Sequence, residues 1–289
     1  MSPVKIVECP RDAMQGLHHF IPTAVKADYI NTLLQCGFDI VDGGSFVSPK
    51  AIPQMRDTAE VIRLLDFSNT ATRLLVITAN KRGGEEAVKF DEVGLLGFPF
   101  SISETFQQRN TNSSVMQSLH TVDELQQLCE KNNKQLVIYI SMAFGNPYGD
   151  EWNADIACQW VEKIASIGVK TIALADTVGV ADAKDIGYLF SNLIPRFPEI
   201  EFGAHLHCTP GNWKDKLHAA YEAGCRRFDA AMKGFGGCPM AKDELVGNMA
   251  TENLVQYLYS RDEALTINRN HFDNALSKAV QVFAAIPAH

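Results

Sequence analysis

The chain lacks what would place it in a membrane, on nucleic acid or in an oxidising compartment. No apolar run approaches the roughly 18 to 20 residues needed to span a bilayer. Met1-Ser2-Pro3 passes straight into a strand-like Val4-Lys5-Ile6-Val7 without a signal or transit pattern. The final Ile286-Pro287-Ala288-His289 is not a peroxisomal address of the Ser-Lys-Leu type. A cytoplasmic protein is expected. Positive charge is in deficit, with 26 Lys and Arg against 34 Asp and Glu and a formal net charge of -8. That sign opposes both a nucleic-acid and an anionic-membrane partner, so an anionic small molecule must meet a local basic patch. The seven cysteines (Cys9, Cys36, Cys129, Cys158, Cys208, Cys225, Cys238) form no Cys-x-x-Cys pair and no repeating spacing. A structural zinc site and a disulfide scaffold are both disfavoured, and each thiol is by default a small buried apolar group.

What is present is an ordinary globular composition, 46% hydrophobic and 21% charged over 289 residues, enough for one sizeable core. Short β-rich runs alternate with longer amphipathic segments, the pattern of a parallel sheet with crossover helices. Strands are predicted at residues 4–9, 38–43, 72–78, 92–98, 135–142, 171–175, 201–207 and 226–230. Helices are predicted at 24–36, 57–65, 82–89, 114–131, 153–167, 183–195, 213–223 and 251–259, with an added C-terminal helix at 271–285. Gly37, Gly168 and Gly224 stand where left-handed residues would close helices before the next strand. Eight β/α units without a linker predict an α/β chain folded as a single (β/α)8 TIM barrel over residues 1–289, with a doubly wound sheet as the alternative.

In such a barrel the active site occupies the C-terminal ends of the strands, and polar residues gather there. Arg11 and Asp12 follow the first strand, Asp42 ends the second, Asp176 ends the sixth, and His205 and His207 end the seventh. Side chains alternate across a strand, so His205-Leu206-His207 delivers two imidazoles to one face. Together with Asp12 they form a hard-to-intermediate donor set suited to Mg²⁺ or Mn²⁺. Salt-bridging of Asp12 to a neighbouring base, and hydrogen-bonded structural histidines, are the plainer alternatives. Gly234-Phe235-Gly236-Gly237-Cys238-Pro239 is too glycine-rich for helix or sheet and reads as a mobile loop that carries a thiol over the barrel mouth. Asn248 precedes a helix and is either its N-terminal cap or an amide-oxygen ligand.

Taken together, Pro10-Arg11-Asp12, Ser45-Phe46-Val47-Ser48-Pro49-Lys50, Pro53-Gln54-Met55, Asp176-Thr177-Val178-Gly179-Val180, His205-Leu206-His207, Gly236-Gly237-Cys238-Pro239 and Gly247-Asn248-Met249-Ala250-Thr251-Glu252 resemble the 3-hydroxy-3-methylglutaryl-CoA lyase family. The wider group of metal-dependent barrels to which these lyases belong includes isopropylmalate and homocitrate synthases. The likeness runs in order from Val4 to about Leu258. It implies a divalent cation, Mg²⁺ or Mn²⁺, held by Asp12, His205, His207 and Asn248. It also implies retro-Claisen cleavage of an acyl-CoA to acetyl-CoA and acetoacetate. Arg11, Asp42, His205 and Cys238 would take part in the chemistry, and Arg11, Gln15, His18, Lys50 and Asp176 would meet the substrate. A homodimer is implied as well. A Claisen-type synthase, an aldolase acting on a free hydroxy acid, and a non-catalytic barrel that binds metal and acyl-CoA are the alternatives.

Three departures from the family pattern carry expectations of their own. Asp42 stands where the family has glutamate, so its carboxylate is retracted by one methylene. Cys208 replaces an aspartate after the histidine pair, which would remove an acceptor that orients a ligating imidazole. Gly16-Leu17-His18-His19 replaces a stretch whose lysine meets coenzyme A, leaving His18, His19 and Lys50 to take over the anionic ligand, unless the substrate is another acyl-CoA or a free acid.

Overall fold

Alternation along the strands creates two separate apolar layers. Inward residues such as Val7, Ile40, Leu75, Leu95, Val137 and Ala173 pack together inside the barrel. Outward residues such as Ile6, Val41, Leu74, Leu96, Ile138 and Phe228 pack beneath the helices. In the computed structural model, residues 3–237 and 246–284 are described. The strands are β1 (Lys5–Glu8), β2 (Ile40–Ser45), β3 (Arg73–Ile77), β4 (Val93–Ser101), β5 (Gln135–Ser141), β6 (Thr171–Asp176), β7 (Glu201–Cys208) and β8 (Arg227–Ala230). Each pairs in parallel with the next, and β8 pairs with β1 to close the ring. The predicted TIM barrel is the observed fold. A short strand, β9 (Gly247–Asn248), adds antiparallel to the end of β7.

The helices are α1 (Pro10–Gln15), α2 (Thr23–Leu34), α3 (Thr58–Ile62), α4 (Lys81–Ala87), α5 (Glu104–Thr111), α6 (Val115–Lys131), α7 (Ala154–Ser166), α8 (Ala183–Arg196), α9 (Trp213–Glu222), α10 (Thr251–Ser260) and α11 (Arg269–Ala284). Two of them, α1 and α5, were not expected, and both stand at the active face. Helix α1 has only six residues, too few for a period to declare itself, and starts on Pro10, whose fixed φ suits a first turn. Helix α5 is largely polar and is set by Ser103, whose hydroxyl caps the Phe106 amide.

Gly37, Gly168 and Gly224 take the predicted left-handed conformation, with φ of 87°, 102° and 97°. At Gly37 a side chain is excluded twice over, since a Cβ would lie 2.2 Å from the Thr266 carbonyl oxygen. That contact, with the Asn268 amide donating to Cys36 O at 2.9 Å, ties the segment before α11 to the turn before β2. The added C-terminal helix thus packs on α2, with Phe283 edge-on to Tyr29 and Phe272 edge-on to Phe38.

Glu8, the last residue of β1, is fully buried and faces away from the barrel axis. Its carboxyl accepts from the Met232 amide at 2.8 Å and the Thr251 hydroxyl at 2.5 Å, binding β1 to the segment after β8 and to α10. Burial pushes this carboxyl up to about 8, against the opposing pull of its two hydrogen bonds. Its neutral form is therefore the one that fits the fold, so the protein loses stability as pH rises from the unfolded value of 4.5 towards about 8. Glu8→Gln keeps the shape and removes the titration. The melting temperature of the unsubstituted protein should therefore fall by several degrees relative to Glu8→Gln between pH 5 and pH 8, measured by thermal scans across that range.

Candidate active site

Strands β1, β7 and β8 are neighbours in the ring, and their C-terminal ends present the polar residues. Helix α1 sets Arg11 and Asp12 directly beyond β1, both buried. Within β7, the two-residue spacing turns His205 and His207 to the same side, their ring centroids 5.3 Å apart. One donor atom from each of Asp12, His205 and His207 lies within 4.8 Å of the other two. The predicted triad assembles.

Each imidazole is oriented by its Nδ1. His205 Nδ1 donates to Asp229 Oδ2 at 3.1 Å, because a carboxylate can only accept, and His207 Nδ1 donates to the Thr177 carbonyl at 3.0 Å. The Nε2 atoms are then lone-pair donors, and that of His207 is buried without a hydrogen-bond partner among the described residues. An orphaned imidazole nitrogen beside a buried carboxylate and a second imidazole fits a divalent cation, which would satisfy it. Burial disfavours the Asp12 carboxylate, but Arg11 and the two histidines outweigh it and hold the group below its ordinary range. His205 and His207 diverge. Burial lowers both, yet the bond to Asp229 carries His205 above its ordinary value, whereas His207, beside His205, stays below its own.

Asn248 is brought to the triad by the pairing of β9 with β7, where it stands opposite His207. It does not cap a helix, since α10 is preceded by Ala250. Its amide nitrogen donates to Asp12 Oδ2 and to the Phe235 carbonyl, each at 2.9 Å. In this arrangement Asn248 steadies Asp12, and a ligand role belongs to the oxygen end of the amide. Gln15 also donates to Asp12, through Nε2 to Oδ1 at 2.7 Å.

Arg11 is gripped by two carboxylates. Its Nε and Nη2 donate to Asp42, the latter at 2.5 Å, and its Nη1 donates to Asp12 Oδ1 at 2.9 Å. A cavity of about 650 Å³ opens above the triad and is lined by Arg11, Asp12, Gln15, His18, His205 and His207. Asp42 is absent from that lining. Shorter than glutamate by a methylene, it is drawn back behind Arg11, where burial raises it to about 6 despite the opposing guanidinium.

Two of the predicted substrate contacts do not line this cavity. Asp176 is buried away from the cavity, with Oδ1 accepting the Ala181 amide at 3.0 Å and Oδ2 accepting Lys216 Nζ at 2.6 Å. Lys216 also donates to the His207 carbonyl at 2.9 Å, so the pair braces the end of β7 from behind. Lys50 is exposed and does not line the cavity, because the chain after Val47 turns outward. Nor does the expected loss of an acceptor at Cys208 occur. That thiol is buried and pushed up to about 12 by burial, and the acceptor is Asp229, supplied by β8. Cys238 lies outside the described residues.

The outer wall of the cavity was not anticipated. It is formed by Phe106, Arg109, Asn110 and Thr111 of α5 and by Phe20 and Arg56 opposite. Asp150, in the loop after β5, clasps the start of α5 by accepting from the Ser103 hydroxyl and from the amide and hydroxyl of Thr105. Tyr148 from the same loop stacks on Phe106 and lies under the Arg109 guanidinium at 4.7 Å, while Arg56 sits 3.6 Å over the Phe20 ring.

A closed parallel barrel with an Asp/His/His donor set at its C-terminal face defines the chain as a barrel enzyme of the metal-dependent class. Residues 4–280 match the HMGL-like family. The cytoplasmic 3-hydroxy-3-methylglutaryl-CoA lyase of Danio rerio is 32% identical over 259 residues, covering 89% of this chain and 76% of the relative. The Bacillus subtilis hydroxymethylglutaryl-CoA lyase is 32% identical, covering 88% and 84%. A solved HMG-CoA lyase from Acinetobacter baumannii, in complex with coenzyme A and 3-methylmalate, superposes with a TM-score of 0.89 at 30% identity, covering 98% of this chain and 92% of that one. The chain belongs to the HMGL-like family of carbon-carbon lyases.

Replacing Lys216 by Met would strand the Asp176 carboxylate in the interior. The expected loss is about 3–5 kcal/mol, the scale for breaking a buried pair, read by urea denaturation.

Proposed function

We propose that this chain is a divalent-metal-dependent lyase that cleaves 3-hydroxy-3-methylglutaryl-CoA into acetyl-CoA and acetoacetate. The observation that carries the reading is the convergence of Arg11 with the Asp12, His205 and His207 donors on one cavity, in a chain whose relatives are hydroxymethylglutaryl-CoA lyases. Those relatives do not favour the synthase, aldolase or non-catalytic alternatives.

Asp12, His205 and His207 would hold the ion, Mg²⁺ or Mn²⁺, with the Asn248 amide oxygen as the fourth protein ligand. When bound, the cation supplies Lewis acidity that eases ionisation of the tertiary hydroxyl. Arg11 stabilises the enolate oxygen of the departing acetyl-CoA. Three of its five N–H groups are engaged with Asp42 and Asp12, which fixes the guanidinium plane and leaves two for the thioester oxygen. Asp42 acts through Arg11 rather than on the hydroxyl. One proton leaves the hydroxyl and one arrives at the enolate carbon, so a single group can serve both ends, and Cys238, which follows Gly236-Gly237 in the sequence, is the proposed carrier.

Coenzyme A brings phosphates to a protein of net charge -8, and the cavity wall answers them with Arg56 and Arg109. Neither guanidinium is neutralised by a carboxylate at salt-bridge distance among the described residues, and each is presented on an aromatic face. These two, with His18, replace the missing family lysine. A homodimer and a cytoplasmic location complete the reading. No helix among the described residues is long and apolar enough to cross a membrane.

Incubation of metal-loaded protein with 3-hydroxy-3-methylglutaryl-CoA should release acetyl-CoA and acetoacetate, and chelation with EDTA should abolish turnover until Mg²⁺ or Mn²⁺ is restored. Failure of the folded, Mn²⁺-loaded protein to release either product would overturn the assignment. Arg56→Ala and Arg109→Ala should each raise KM for the CoA thioester by about tenfold, the scale of a lost charge-assisted contact. Neither should alter KM for the corresponding pantetheine thioester, which has no nucleotide phosphates, and steady-state kinetics with both substrates reads the difference.

A further inference from the structure

Beneath the donor triad, β7 and β8 carry a buried ladder that the chemistry above does not use. His205 is the parallel partner of Asp229 across the two strands, and one step below them Gly203 of β7 lies against Arg227 of β8. The Arg227 side chain is fully buried, and a Cβ at Gly203 would stand 3.0 Å from its Cδ and 3.1 Å from its Nε. A side chain at Gly203 would press on the arginine where it lies across β7 inside the barrel. Its guanidinium has no hydrogen-bond partner among the described residues, and Glu201 at 3.9 Å is its salt-bridge partner there. Asp229 Oδ1 is likewise buried and unpartnered, while Oδ2 takes the His205 Nδ1 proton at 3.1 Å. A carboxylate sunk in a barrel core is costly unless a compensating charge accompanies it, and Arg227, two residues earlier on the same face of β8, is that charge.

We infer that Asp229, compensated by Arg227 in the space beside Gly203, is a positioning residue that keeps the His205 ring proton on Nδ1, so that the neutral ring offers its Nε2 to the divalent ion. The ladder takes over the role of the acceptor absent at Cys208. His207 needs no such device, because the Thr177 carbonyl, which can only accept, fixes it. The inference rests on the metal-dependent reading of the site, yet its readouts do not depend on turnover.

Two measurements test it. In metal-free, unsubstituted protein at a pH alkaline enough for the His205 ring to be neutral, long-range ¹H–¹⁵N NMR of that ring should report a protonated Nδ1 and a bare Nε2, and the opposite tautomer would refute the inference without any substitution. Calorimetric titration with Mn²⁺ should show Asp229→Asn binding about 10- to 100-fold more weakly than the unsubstituted protein, the range for losing the group behind a ligating histidine. Asparagine removes the charge that anchors the ring proton, and its amide can turn an N–H towards Nδ1 and favour the proton on Nε2. Arg227→Lys, which keeps the charge, should stay within about threefold, and Arg227→Met should follow Asp229→Asn. Equal Mn²⁺ affinity for Asp229→Asn and the unsubstituted protein would remove the positioning role. Absence of Mn²⁺ binding by the unsubstituted protein would instead overturn the metal-site reading itself.

Discussion

The parallel hydrogen bonding that keeps the ends of β1, β7 and β8 level is the constraint on which the site depends. Pairing of β7 with β8 puts His205 opposite Asp229, pairing of β8 with β1 brings Glu8 level with Ala230, and β9 returns along β7 to set Asn248 opposite His207. A slip of one residue in any of these ladders would send the inward side chains outward, because the side-chain period is two. The triad, its orienting acceptors and the brace from Lys216 to the His207 carbonyl are therefore consequences of backbone register before they are consequences of side-chain chemistry.

Charge is distributed to suit two ligands of opposite sign. Arg11 is shared between Asp12 and Asp42, so that this trio carries one net negative charge beside two imidazoles. A cation is drawn to the floor of the cavity. On the wall above, Arg56 and Arg109 stand on aromatic rings and create the local positive patch that the acidic chain otherwise lacks.

Much of this was legible in the sequence, for physical reasons. Eight β-rich runs and a His-x-His spacing announce themselves because strand periodicity is local, and Gly37, Gly168 and Gly224 mark helix ends that only left-handed residues can close. Long-range partners were not legible. Asp229 is an unremarked residue of Phe-Asp-Ala until the barrel sets it beside a histidine 24 positions earlier. Lys216 looks like one more charged residue on a helix, although it is buried against Asp176. Asp176 and Asp42 stand at predicted strand ends and so read as facing substrate, yet Asp176 is held by Lys216 away from the cavity and Asp42 lies behind Arg11, which lines it. Helices α1 and α5 escaped because one is too short and the other too polar to display an apolar face.

The clasp of Asp150 on the first turn of α5 divides responsibilities along the chain. The donors and Arg11 come from the beginning and end of the sequence, whereas α5 and the loop that pins it occupy its middle. A barrel built in this way can alter α5 and its loop, and with them part of the outer cavity wall, without touching the donors or Arg11. The shape of the entrance and the chemistry of the floor are then separable properties of one scaffold.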